Sequence, residues 1–93
     1  MRYKVSIEKI DSFRAKHIDF LNQYYEDGLF IVSGPMMPRE GGVIIAKCNS
    51  KEYLQKVLEC DPFAVNNLAT YEVIEFVPTK WSQEFEGIVS HKY

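Results

Sequence analysis

Ninety-three residues match one compact domain, and a hydrophobic share of 46% with 26% charged residues excludes the disordered class. Eleven Lys and Arg against thirteen Asp and Glu give a net charge of -2, and the absence of any basic run argues against a nucleic-acid partner. No segment approaches the roughly 18 apolar residues of a membrane span, and the first residues alternate polar with apolar unlike a signal peptide, so the expectation is a cytoplasmic protein with no membrane contact.

Along the chain, Tyr3, Val5 and Ile7 alternate with Lys4, Ser6 and Glu8, which predicts a first strand with one buried face. Asp11 or Ser12 is placed to cap a helix over Ser12–Asp27, and Gly28 ends it where a positive φ is wanted. Leu29–Ser33 is an apolar run bounded by Gly28 and Gly34-Pro35, a second strand. A loop rich in turn residues, Met36 to Gly42, separates it from a third strand over Val43–Cys48, which suggests an antiparallel hairpin. Asn49 with Glu52 resembles a capping box for a second helix, Ser50 to about Cys60. Pro62 disfavours helical geometry at Asp61 and makes that residue the cap of a short turn starting at Pro62. Thr70–Val77, rich in Tyr, Val, Ile and Phe, predicts a fourth strand stopped by Pro78.

The order is β-α-β-β-α-β. This predicts an α+β, ferredoxin-like fold, a four-stranded antiparallel sheet with both helices on one face. Residues 1–78 form that domain, and 79–93 a tail in which Trp81, Phe85 and Ile88 have the spacing of a short amphipathic helix against this subunit or a partner. Six Tyr, six Phe and one Trp are many rings for so small an interior, and one sheet face is left uncovered, so a homodimer is expected.

Two polar groups interrupt apolar faces. At about 100° per residue, Phe13, His17, Phe20, Leu21 and Tyr24 share one arc with His17 near its centre. Tyr53, Leu54, Val57 and Leu58 share another, and Asp61 projects within it if the second helix is continued. Both groups point to the sheet, where they can share a pocket, although His17 near the start of one helix and Asp61 at the end of the other imply an axial offset of several ångströms, at about 1.5 Å per residue. Paired, they form a proton-transfer centre: Asp61 fixes the imidazole and the other ring nitrogen moves a substrate proton. Taken singly, His17 also reads as a hydrogen-bonded core histidine and Asp61 as a cap. Ser33, Gly34 and Pro35 close the second strand and offer a hydroxyl and open backbone to a ligand, and Arg14 offers a positive charge to an anionic substrate. Cys48 and Cys60 fit no metal-ligand spacing with the two histidines, so reduced thiols, no metal and no cofactor are expected.

Four phrases in chain order resemble the YciI-like (YCII-related) family: Arg14-Ala-Lys-His17-Ile-Asp-Phe-Leu21, Asp27-Gly28-Leu-Phe-Ile-Val-Ser33-Gly34-Pro35, Cys60-Asp61-Pro62-Phe63 and Ala69-Thr-Tyr-Glu-Val-Ile-Glu-Phe76. The resemblance implies a dimeric α+β barrel type of assembly with a His/Asp centre in a cleft, the histidine carried over to His17, the aspartate to Asp61 and the Gly-Pro turn to Gly34-Pro35. One branch of that family resembles a dehydrochlorinase of a chlorinated hydroxyquinol. This chain departs from it in a short Pro38–Gly42 loop and a longer tail after Pro78, so the substrate is not inherited. The resulting expectation is a cofactor-independent, lyase-like or isomerase-like enzyme acting by proton transfer or elimination on a small organic molecule, cyclic or aromatic molecules included. The alternatives are a non-catalytic dimer that binds a small ligand and a cofactor-free, oxygen-using oxidase.

Overall fold

A computed structural model describes residues 1–89 of the chain. The end of the predicted tail, His91 included, lies outside the described residues. The elements in order are β1 (Arg2–Tyr3), α1 (Ile7–Ser12), α2 (Arg14–Glu26), β2 (Phe30–Pro35), β3 (Gly42–Ala46), α3 (Lys51–Leu58), α4 (Pro62–Val65) and β4 (Ala69–Thr70), then a 3-10 turn at Gln83–Phe85. The fold is a small α+β unit with two two-stranded antiparallel sheets, β1 with β4 and β2 with β3. One isolated bridge, Arg2 to Gly41, joins them.

The predicted first strand is cut short because Ser6 competes for its residues. The Ser6 hydroxyl accepts the Lys9 amide at 3.3 Å and starts α1 at Ile7, in the middle of the alternating pattern. The helix predicted over Ser12–Asp27 is α2, and α1 is an additional helix before it. Phe13, with φ -109° and ψ 4°, ends α1 and precedes α2, and Asp11 pairs with Arg39 instead of capping. At the second helix the cap is Ser50, which accepts the Tyr53 amide at 3.1 Å, and not Asn49. Gly28 does end α2 with φ 79°, and Asp61 does cap a short helix at Pro62.

The predicted fourth strand pairs only over Ala69–Thr70. Beyond it the period-two pattern survives without a ladder: Tyr71 and Val73 are half-buried against the core, whereas Glu72 and Ile74 are exposed. The tail forms one 3-10 turn instead of an amphipathic helix, with the Trp81 indole donating to Glu86 at 3.0 Å.

Two apolar clusters hold the unit together. Phe20, Leu29, Phe30, Val57 and Leu58 form one between α2, the hairpin and α3. Ile10, Phe63, Leu68 and Ala69 form the other between α1, α4 and β4. Glycine is required where the chains crowd: a Cβ on Gly41 would fall 1.9 Å from the Met1 carbonyl oxygen. Gly34, by contrast, has open space around it.

Candidate functional site

The break at Phe13 places His17 in the first turn of α2, its amide bonded to the Phe13 carbonyl at 3.1 Å. Asp61 sits in the link between α3 and α4, extended at φ -61° and ψ 129° as a residue before proline must be. That conformation swings its carboxylate over the start of α4, where Oδ1 accepts the Phe63 amide at 3.0 Å. The expected axial offset is closed by this turn. Asp61 belongs to α4, which packs on α2, and not to the end of the second helix.

His17 Nδ1 lies 2.8 Å from Asp61 Oδ1. Because a carboxylate only accepts, Nδ1 carries the hydrogen, which leaves Nε2 of a neutral ring as a lone-pair acceptor. Nε2 has no hydrogen-bond partner among the described residues, and the His17 side chain is 12% exposed. Its ring stacks on Phe63 with centroids 4.1 Å apart and planes 9° apart, so its orientation is fixed on both the edge and the face. Asp61 is 0% exposed and accepts a third bond, on Oδ2 from the Tyr71 hydroxyl. Every buried polar group of the cluster is thereby satisfied.

Tyr71 is the member that sequence reasoning missed. Its signal was there: an aromatic ring with a polar tip on the inward side of the Tyr71/Val73 alternation needs a buried partner. Burial, then the negative charge of Asp61, then the bond to it, hold the Tyr71 phenol far above its ordinary value of 10.0. The sign of the linkage follows. Below the unfolded value both states keep the proton; above it only the folded state does, so folding binds more protons and stability falls as pH rises beyond about 10. Urea titrations at stepped alkaline pH are expected to show that fall in the native chain and a shallower one in Tyr71→Phe.

The other predicted residues are not joined to this cluster. Arg14 is exposed, three residues before His17 on α2, and its charge acts on Asp11. The Ser33 hydroxyl bonds the Tyr25 hydroxyl. Gly34 and Pro35 pair with Val43 and Gly42 in the hairpin. Among the described residues no hydrogen bond or ion pair links any of the four to His17 or Asp61. A cleft of about 540 Å³ opens between β3 and residues 70–76 and one of about 410 Å³ beside Tyr71 and Glu59; Tyr71 lines both, and His17 and Asp61 line neither. Cys48 and Cys60 are unpaired, and among the described residues no group of three or more His, Cys, Asp or Glu could hold a metal ion. Among these residues no helix is long and apolar enough to cross a membrane.

Residues 2–77 match the family model of the YCII-related domain. No curated protein and no solved structure matches the chain.

Proposed function

Starting from the fact that this chain belongs to the YCII-related domain family, we propose that it is a cofactor-independent enzyme that moves a proton on a small organic substrate, by elimination or isomerisation. One observation carries this reading: the fully buried Asp61 grips His17 Nδ1 at 2.8 Å and leaves Nε2 as the uncommitted basic atom. Taking a substrate proton on Nε2 creates a positive ring directly beside a carboxylate, the arrangement general base catalysis needs. The Tyr71 and Phe63 donors keep that carboxylate from turning away. Arg14, one turn before His17 on the same helix, is the side chain to meet an anionic substrate group, and Ser33-Gly34-Pro35 remains the candidate for binding its far end.

The test need not know the substrate. Small organic molecules that raise the melting temperature are incubated with the protein in heavy water, and NMR reads exchange of their carbon-bound hydrogens. At least one is expected to exchange, and His17→Asn to slow that exchange by about 10²–10⁴-fold. Stabilising molecules that never exchange, and bind His17→Asn equally well, would overturn the reading. They would establish the second one, a non-catalytic ligand-binding protein, which the absence of His17 from the lining of the larger cleft favours.

The bridge from Arg2 to Gly41 supports a strand order β4-β1-β3-β2, that of a ferredoxin-like sheet. Val32, Val43 and Ile45 leave an apolar face on the hairpin, and we infer that a second subunit covers it. Light scattering at micromolar concentration is expected to return the dimer mass; a monomer would refute that assembly.

A further inference from the structure

Positive charge gathers around the turn that carries His17. Residues 1–17 hold five Lys and Arg against two Asp and Glu, in a chain whose net charge is -2. Lys9 and Lys16 stand 5.4 and 6.0 Å from the centre of the Phe13 ring, one helical turn before His17. Arg39 donates to Asp11 at 2.5 Å, and the charge of Arg14 acts on the same carboxylate. One acid is thus shared by two guanidinium groups, which leaves positive charge to spare and favours an anionic visitor.

Arg39 reaches this place from the β2–β3 loop. The loop is folded on itself, the Met36 amide bonded to the Gly41 carbonyl and the Glu40 amide to the Pro38 carbonyl, each at 2.9 Å. It is tied to β1 by the Tyr3 amide, which donates to the Glu40 carbonyl at 3.0 Å. The guanidinium then lies 5.9 Å from the centre of the Tyr3 ring. Tyr3 meets Phe63 edge-on at 6.4 Å, and Phe63 stacks on His17 at 4.1 Å, so a row of rings runs from Arg39 to the imidazole. The Arg39–Asp11 pair is open to water, with side chains 32% and 46% exposed. Such a pair adds little to stability and exchanges its partner readily, while the ring contact keeps the guanidinium in place when the carboxylate leaves.

We propose that Arg39 is the receptor for a carboxylate group of the substrate, and that Asp11 occupies it in the ligand's absence. The incoming carboxylate replaces Asp11 on the planar guanidinium fork, and the rest of the molecule extends along the Tyr3 ring toward His17. This rests on the reading of His17 as the reacting base and narrows its substrate to small organic acids, with Arg14 adding a second positive charge. A neutral molecule of the same shape has nothing to offer Arg39 in place of Asp11, so the pair also discriminates against it.

An NMR titration at low salt tests it, with benzoate as the probe and benzamide as its neutral counterpart. Benzoate is expected to move the Arg39 Nε–H and His17 ring signals together, and to bind about tenfold more tightly than benzamide. Arg39→Gln is expected to weaken benzoate about tenfold. Asp11→Asn is expected to tighten it about threefold, because the internal competitor is gone. An ion pair that only braces the loop predicts no such gain. Equal binding of benzoate and benzamide, signals that stay in place, or an Asp11→Asn variant that binds benzoate no better than the native chain would each overturn the proposal. Binding is read without turnover, so the two readings fail separately. Benzoate behaving as expected in a chain that exchanges no substrate hydrogen refutes proton transfer and leaves Arg39 as the acid-binding residue of a ligand-binding protein. Hydrogen exchange without a preference for benzoate refutes the role of Arg39 alone.

Discussion

Replacing Asp61 with alanine is expected to lower the unfolding free energy by about 4 kcal/mol, read from urea denaturation at neutral pH. Three donors converge on this one carboxylate: His17 Nδ1, the Phe63 amide and the Tyr71 hydroxyl. Leaving a buried donor unsatisfied costs about 1–3 kcal/mol, and the exposure of His17 lets water relieve only one of the three. A loss of that size is a large part of the 5–15 kcal/mol by which a domain is typically stable. Asp61→Asn is the informative companion. An asparagine keeps an oxygen for His17 and Phe63 and turns its amide to Tyr71, whose hydroxyl can accept as readily as donate. The bonds survive in number and only the charge is lost, so about 1–2 kcal/mol is expected. Equal losses for the two variants would mean that the carboxylate's charge, and not its bonds, holds the cluster.

Phe63→Ala is expected to cost about 3–5 kcal/mol, the usual range for deleting a fully buried phenylalanine. Phe63 is 2% exposed, in one cluster with Ile10, Leu68 and Ala69, and its ring meets Tyr3 edge-on with centroids 6.4 Å apart. The backbone bond from its amide to Asp61 is untouched by the change. What the site loses is the surface on which the imidazole rests. The ring protons of His17, shielded in the native chain by a ring stacked 4.1 Å away, are expected to shift downfield in the NMR spectrum of Phe63→Ala. His17 resonances that stay in place while stability falls would show that the Asp61 bond alone orients the ring. Phe63→Leu, which keeps most of the volume, should lose less than about 1.5 kcal/mol and isolate the contribution of the flat ring.

Much of this site was legible because it rests on local rules. Asp61 before Pro62 reads as an extended cap, and the inward arc of Phe13, His17, Phe20, Leu21 and Tyr24 follows from helical period alone. Tyr71 carried the signal of an inward ring with a polar tip, but which group it meets was not legible, because that depends on how α4 turns the chain back. The same distinction explains the strands. The Thr70–Val77 run has the composition and alternation of a strand, yet only Ala69–Thr70 is paired, since strand formation depends on a neighbouring edge as much as on propensity. In the first strand two local signals conflicted, alternation and the Ser6 cap, and the cap prevailed from Ile7 onward.

The His17 ring touches both apolar clusters, stacking on Phe63 in one and lying 6.4 Å from Phe20 in the other. It is thus a splice between two small cores, beside the Tyr71–Asp61 bond that also joins them. A molecule that pushes this ring aside would give up the stacking on Phe63 as it binds, so part of its binding energy goes into opening the seam.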